Sequence, residues 1–529
     1  MGAEQIKLEV LSNDGESKGK TTREKVKNTC TEELFLGICS PIGSMKDEVI
    51  KSLTKILKDT YGYKVEILKL SDHIDTYKIN NYQSIEEKTK QFSDLMYKIN
   101  EGNAIRKRYN NNSVLVELAI RDIYNSRADE VTNIADDPTF LPKAEDFKSR
   151  RTCFIFNSIK NKEELLLLRQ IYTDNFYQFS VFSPQKERED NLANKNLAKD
   201  EIKNIIDIDE YDNNINGQNV RGTFTDGDFF LRVSEKNIDK LDDKIKRYLH
   251  LIFESSIVTP TAEETAMYAA KSASGNSACL SRQVGAAITS KKGNLLSTGW
   301  NDVPKFGGNL YREGDKFDFR CNKTGNCSND EQKDLLVQSI IETLQEDSEL
   351  KTIFFNDEGY TDMKKISTFN SKLRNSKIKD LIEFSRSVHA EMHAIISGSQ
   401  ISGEKMINGK LFSTTYPCHN CARHIIVAGI KEVYYIEPYK KSLGITLHDD
   451  AITEDETSTD KVRILIFDGV APRKYLTFFT NFAERKQNGK IILKDFKNIK
   501  PKIAKSLQAL STLETQAIHS LKECGLLNE

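Results

Sequence analysis

Runs of apolar and polar positions along the chain fall into two kinds, and their order predicts a layered α/β protein. Leu34-Phe35-Leu36-Gly37-Ile38-Cys39 is a short continuous apolar run, as expected of a strand buried on both faces. Residues Met45 to Asp59 then place Val49, Ile50, Leu53, Ile56 and Leu57 at helical intervals. Tyr63 to Leu70 alternates like a strand, and Ser84 to Arg108 and Ser113 to Arg127 read as helices. Thr152 to Ile159 is a further buried strand, Lys162 to Tyr172 a helix and Phe176 to Phe182 another strand. Such a succession implies a parallel sheet covered by helices. Gln185 to Gln218, rich in Asp, Asn and Lys, predicts a loop or lid, and Lys236 to Phe253 a closing helix.

A second unit opens near Val258. Thr259-Pro260 is a helix-start signal, and Thr261 with Glu264 offers a capping box one turn on. Val284 to Thr289 and Leu295 to Trp300 read as strands joined through Lys292-Gly293-Asn294, a hairpin signal. After a polar stretch come a helix at His389 to Ser397, a strand at Lys410 to Tyr416, a helix at Cys418 to Ala428 and strands at Glu432 to Ile436 and Val462 to Phe467. The expected division is a flexible tail over 1–30, one domain over 31–255 and another over 256–529, the last with an insertion at about 304–386. A chain of 529 residues well exceeds the roughly 250–300 at which single cores stop growing.

Charge narrows the ligand class. With 77 Lys+Arg against 78 Asp+Glu, the chain lacks the basic surplus that holding a long nucleic acid by its phosphates requires. A nucleotide-sized ligand is favoured. Met1 to Glu9 has no apolar core, and runs such as Ile425 to Ile430 are far shorter than the roughly 20 residues of a membrane span, so a soluble cytoplasmic protein is expected. Nine cysteines in such a chain point to metal binding or burial rather than disulfides.

The candidate chemistry lies in His389-Ala390-Glu391 and Pro417-Cys418-His419-Asn420-Cys421. Cys418 and Cys421, three apart at a helix start, share one face and can grip one ion, and a helix N-terminus favours thiolate over thiol. His389 at the start of a second helix supplies an imidazole. Zinc takes such ligands tetrahedrally, and with only three from the protein it keeps a position for water, the arrangement of a catalytic Zn2+. Glu391, two residues after His389, is the candidate proton carrier. Zinc lowers the pKa of water towards about 7, and one carboxylate can relay its proton to a ring nitrogen and a departing amine. The spacing is the signature of zinc-dependent base deaminases. His393, one turn after His389, is expected to pack or hydrogen-bond nearby. Cys321 and Cys327 in the insertion are compatible with a second metal or with a plain loop.

The region Glu263 to about Phe479 resembles the cytidine and deoxycytidylate deaminase superfamily. Ser281-Arg282-Gln283-Val284-Gly285-Ala286 is similar to its first-strand motif, and Gly299-Trp300-Asn301-Asp302-Val303-Pro304 to its G-Y-N-G-x-P loop, with Trp300 for Tyr and Asp302 for Gly. The resemblance implies a mixed sheet sandwiched by helices, Asn301 on the sugar or base and Arg282 near the phosphate. Thr414 to Ile426, continuing into Tyr435 to Ser442 and Leu447 to Asp450, resembles the bacterial anti-phage dCTP/dCMP deaminases. That implies deamination of free dCTP and dCMP, depletion of the DNA precursor pool during infection, a homo-oligomer and, in some members, restraint by an inhibitory small RNA. Tyr439 and Lys441 are candidate base and phosphate contacts. Two other readings are open: an RNA or single-stranded DNA deaminase, and a nucleotide sensor with a deaminase fold.

In the N-terminal domain, Ser40 to Asp47 follows a strand and precedes a helix, the place of a phosphate-binding loop. Measured against G-x-x-x-x-G-K-[ST], Ser40 and Met45 replace the glycines, Asp47 replaces the magnesium hydroxyl, and Lys46 survives. Gly43, Ser44 and Lys46 are the candidate nucleotide contacts, with Mg2+ as the accompanying ion. NTP hydrolysis, nucleotide sensing and a purely structural role all remain open. The domain resembles P-loop deoxynucleoside monophosphate kinases in layout, which implies a parallel sheet with helices on both faces.

Overall fold

The structure, a computed structural model, describes residues 21–133, 142–210, 214–438, 442–480 and 484–527. It divides into two compact units: the chain up to Val258 together with Phe478–Glu529, and Thr259–Thr477.

The first unit is built on strands β1 (Leu34–Cys39), β2 (Lys64–Lys69), β3 (Thr152–Asn157), β4 (Phe176–Phe182) and β5 (Phe229–Arg232). They lie in the order β2-β3-β1-β4-β5, every pair parallel. All six residues of β1 and all six of β3 are buried, which accounts for their unbroken apolar runs. The helices are α1 (Thr22–Asn28), α2 (Lys46–Asp59), α3 (Lys90–Arg108), α4 (Val114–Thr132), α5 (Lys162–Tyr172), α6 (Gln185–Ala193), α7 (Lys199–Glu210) and α8 (Leu241–Phe253). On one face of the sheet Phe35, Phe154 and Phe156 form a core with Leu118 of α4, Leu168 of α5 and Leu521 of the helix Leu507–Glu523. Strand alternation turns Leu34, Leu36 and Ile38 to the opposite face. There α2 and α8 pack together with Leu53, Leu57, Ile245 and Leu249 buried.

Three expectations for this unit need revision. Residues 22–28, assigned to the tail, form α1, which is stabilised by a reciprocal capping box between Thr21 and Glu24. The stretch 185–218, read as loop or lid, contains α6 and α7. Ile202, Ile205 and Ile206, spaced for one helix face, bury with Leu192 and Phe92 beneath the charged residues that dominate its composition. The C-terminal segment does not extend the second domain to residue 529. From Phe478 it returns to the first unit, where Leu507, Leu510, Ala517 and Leu521 are buried and Glu514 meets the buried guanidinium of Arg127. Arg127 also pairs with Glu33 at 2.6 Å.

The second unit has strands β6 (Gly285–Thr289), β7 (Leu295–Trp300), β8 (Lys410–Thr415), β9 (Glu432–Glu437), β10 (Ile452–Thr453) and β11 (Val462–Ile466) in the order β10-β11-β9-β8-β6-β7. The sheet is mixed: β6 is antiparallel to β7 and β8, and the remaining pairs are parallel. Its helices are α9 (Ala262–Ser274), α10 (Ser328–Glu346), α11 (Met363–Arg374), α12 (Ala390–Ser402) and α13 (His419–Val427). The expected capping box of Thr261 and Glu264 starts α9. Two glycines bring the layers together. A Cβ on Gly285 would sit 1.9 Å from the Ala270 oxygen of α9, and one on Gly299 would sit 2.4 Å from the Ala394 nitrogen of α12. Ala286 pairs with Gly299, so Gly285 and Gly299 face opposite sides, and α9 and α12 sandwich the sheet. The insertion carries α10 and α11, with Val337, Ile341 and Phe354 as a small core of its own.

Candidate metal centre and active site

Two helix starts meet at the end of β8. His389 is the N-cap residue of α12 and Cys418 that of α13. The His389 Nδ1 lies 3.3 Å from the sulfurs of both Cys418 and Cys421. A tetrahedral zinc with ordinary bond lengths separates its nitrogen and sulfur ligands by about 3.5 Å. Among the described residues, His389, Cys418 and Cys421 are the one group of three whose ligand atoms all lie within 4.8 Å of one another. The donor set and spacing fit a zinc ion. A hydrogen bond with Cys421, then the contact with His389, holds the Cys418 thiol down at about 4 against the effect of burial. Burial pushes the Cys421 thiol up, so Cys418 is the sulfur that ionises first.

Glu391 occupies the first turn of α12 with 4% of its surface exposed. One carboxylate oxygen accepts from Ser413 Oγ of β8 at 3.1 Å, and the other lies 3.4 Å from Cys421 Sγ. Burial, then the charge of Cys418, raises its pKa. That shift moves a carboxylate towards both accepting and releasing a proton near neutrality. Burial would lower the His389 pKa, but the hydrogen bond and charge of Cys418 outweigh it and raise it.

His393 packs edge-on against Trp300 with ring centroids 4.6 Å apart, and its Nδ1 accepts from the Trp300 amide, as expected of a packing residue. Asn301 is 8% exposed; its amide oxygen accepts from Val284 N at 2.7 Å, and its nitrogen donates to Arg282 O at 2.8 Å. It pins the loop that carries Arg282, leaving one N–H for a ligand. Arg282 pairs with Glu437 at 3.1 Å. Tyr439 and Lys441 lie outside the described residues. Cys321 and Cys327 line a cavity with Cys279 and His389, and among the described residues they form no second group of converging ligands.

Sequence reasoning missed Ser413 and Arg386, and noted Asp302 only as a departure from glycine without reading its role. Ser413 positions Glu391, and its only signal was its place on the strand leading to Pro417. Arg386, three residues before His389, faces the same cavity. Asp302 is 1% exposed; its carboxylate accepts from Ala278 N and Val303 N, and its carbonyl accepts from Val388 N, next to His389.

Residues 260–437 match the family model described as the cytidine and deoxycytidylate deaminase zinc-binding region. The chain carries a cytidine/deoxycytidylate deaminase domain. Over 55 residues it is 47% identical to ComE operon protein 2 of Bacillus subtilis (strain 168), a match spanning 10% of this chain and 29% of that protein. Among solved structures it is similar to the dCMP deaminase of cyanophage S-TIM5 in complex with dCMP and dUMP (21% identity, TM-score 0.22, 40% of this chain and 99% of that one). It is also similar to a diaminohydroxyphosphoribosylaminopyrimidine deaminase/reductase of Thermotoga maritima (16% identity, TM-score 0.19, 41% and 39%). Among the described residues no helix is long and apolar enough to cross a membrane.

The candidate loop of the first unit is closed upon itself. Lys46 donates to Asn157 Oδ1 at 2.9 Å and to Ser158 Oγ. The amide of Ile42 donates to Asp209 and that of Met45 to Ser183, while the Ser44 amide bonds to Pro41 O. Gly43 has φ +82°, and a Cβ there would meet the Arg188 carbonyl oxygen at 2.5 Å. The backbone donors that a phosphate would use at Ile42 and Met45 are thus taken by side chains of the same unit.

Proposed function

We propose that the protein is a zinc-dependent deaminase that hydrolyses the 4-amino group of free deoxycytidine nucleotides, dCTP and dCMP, to the uracil forms and ammonia. One observation carries the reading: a buried carboxylate, Glu391, lies 3.4 Å from Cys421, one of three side chains whose donor atoms converge as zinc ligands would. Zinc held by His389, Cys418 and Cys421 would supply the Lewis acidity that makes water a nucleophile at neutral pH. Glu391 takes a proton from the attacking water and passes it to ring N3, then takes the second from the hydroxyl added at C4 and gives it to the departing amine. Ser413 fixes the carboxylate for this relay. Asn301 and Arg282 hold the substrate, joined by Tyr439 and Lys441.

We further infer, from the resemblance of the segment 414–450 to anti-phage deaminases, that the activity depletes dCTP in phage defence. The protein then works in the cytoplasm as a homo-oligomer restrained by an inhibitory small RNA. By the same resemblance we read the first unit as a P-loop kinase-like domain, in which nucleotide binding with Mg2+ at Gly43, Ser44 and Lys46 requires Asp209 to release the Ile42 amide, Ser183 the Met45 amide, and Asn157 and Ser158 the Lys46 amine. The purified zinc-loaded chain should release ammonia from dCTP and dCMP and not from a cytosine-containing oligonucleotide. Release from the oligonucleotide alone would establish a polynucleotide deaminase, and release from none of them a nucleotide sensor.

A further inference from the structure

The loop at residues 40–46 of the first unit already holds an anion, and that anion belongs to the chain itself. Asp209, in the last turn of α7, is 1% exposed. One of its carboxylate oxygens accepts from the Ile42 amide at 2.7 Å and the other from Lys160 Nζ at 2.7 Å. A backbone amide between a strand and a helix, with a lysine beside it, is the donor set that such a loop offers to a phosphate. Ile42 is gripped on its other sides as well. Its carbonyl accepts from Arg188 Nε of α6 at 2.9 Å, and its side chain packs against the cluster of Leu192, Ile202, Ile205 and Ile206 that joins α6 to α7. Two further donors, Arg188 Nη2 and Ser44 Oγ, are buried without a hydrogen-bond partner among the described residues. The loop and its cover therefore carry more donors than this one carboxylate satisfies.

We propose that Asp209 is a built-in competitor for nucleotide phosphates, and that it latches α6 and α7 over the loop as a lid which an entering nucleotide opens. The inference rests on the reading of the first unit as a nucleotide-binding domain and states how that site is regulated. A backbone N–H has one proton to give, so a phosphate that takes the Ile42 amide must first remove the Asp209 carboxylate. That carboxylate is enclosed and cannot swing into solvent unless the end of α7 shifts. The observed affinity for a nucleotide then falls in proportion to the fraction of molecules whose lid is open. Hydrogen bonds to an ionised acceptor are about twice as strong as neutral ones, so Asp209→Asn keeps the shape of the latch and weakens it.

The test follows amide hydrogen exchange in the full-length, zinc-loaded chain with and without pyrophosphate and Mg2+. Binding ordinarily slows exchange. Here saturation should protect residues 40–46 and speed exchange across Lys199–Glu210 by about tenfold or more. Protection of 40–46 with slowed or unchanged exchange in that helix would leave the nucleotide reading standing and overturn the latch. Titration calorimetry gives the second arm. Asp209→Asn should bind pyrophosphate about tenfold or more tightly than the parent chain, and adding Lys46→Ala should abolish the gain, which shows that the loop is the group detected. Equal affinity in the parent and Asp209→Asn overturns the competition. Absence of binding in both chains, with no protection at 40–46, removes the nucleotide reading and the proposal together, a pattern distinct from failure of the latch alone.

Discussion

Gly299→Ala tests whether the contact between β7 and α12 sets the geometry of the metal centre. The new methyl would lie 2.4 Å from both Ala390 O and Ala394 N, where ordinary contact begins at 3.4 Å. These are backbone atoms and cannot rotate away, so α12 must retreat from the sheet by about 1 Å at this point, in a core where overpacking costs about 1–3 kcal/mol. That helix starts at His389 and carries Glu391 in its first turn. Metal–ligand distances are held within about 0.2 Å, and a 1 Å misplacement of reacting groups costs about 100-fold in rate. The expected result is a drop in thermal midpoint on the order of 5 °C, zinc lost to a chelator at least about tenfold more readily, and turnover reduced about 100-fold. Gly285→Ala is the matched control. Its methyl strikes the Ala270 oxygen of α9 at 1.9 Å, on the face that carries no proposed zinc ligand. It should lower the midpoint at least as much while keeping zinc far better. If Gly299→Ala retained zinc and turned over within twofold of the parent, or if the two variants lost zinc equally, the idea that this contact positions His389 and Glu391 would be refuted.

The other predictions concern single groups. Glu391→Gln should lose a factor of about 10²–10⁴ in ammonia release while metal analysis still finds one zinc per chain, because the carboxylate is not a ligand. Arg127→Met should cost about 3–5 kcal/mol by urea unfolding, since it leaves Glu514 buried without its cation; Glu33 keeps Arg150 at 2.9 Å. Adding Glu514→Leu should recover much of that loss, and a single-variant cost below about 1 kcal/mol would contradict the assignment. Burial, then the charge of Lys160, lowers the Lys46 pKa to about 8. The folded state therefore disfavours the charged amine. The resulting destabilisation is complete below about pH 8 and fades as pH rises to the ordinary lysine value near 10.4. Lys46→Met should accordingly raise stability at pH 7 by on the order of 1–2 kcal/mol, with the advantage vanishing by about pH 10.5; an advantage that grows with pH would reverse the argument.

What could be read from the sequence follows from where the constraints are local. The runs at 34–39 and 152–157 predicted buried parallel strands because both faces of each strand are covered, so composition alone carries the signal. The triad of candidate ligands was legible because His389, Cys418 and Cys421 sit at helix starts, and the spacing within Cys-x-x-Cys fixes a shared face. The segment 185–210 was misread because α6 and α7 bury few residues and expose many charged ones, which weakens the apolar period. The return of Leu507–Glu523 to the first unit depends on Glu514 meeting Arg127 across 387 positions, a pairing that no local pattern encodes.

The departure at Asp302 and the length of the insertion are best understood as one feature. The resembling loop has glycine at this position, and a buried carboxylate there costs stability unless its charge and lone pairs are matched. Two backbone amides, from Ala278 and Val303, supply hydrogen bonds, and the nearest cation is Arg320 of the insertion, at 3.8 Å and 4% exposed. Arg320 in turn is held by Asp318 at 2.7 Å, so the inserted segment arrives with its guanidinium already oriented. The carbonyl of Asp302 accepts from Val388, the residue before His389. One residue thus links Arg320 of the insertion to the end of that segment beside His389. Replacing Asp302 by Gly would remove this pairing of the core with Arg320, which keeps Asp318 and Glu313 within the insertion. The insertion and the acid at 302 are therefore joined by one ion pair, and the backbone of the same residue holds the chain just before His389.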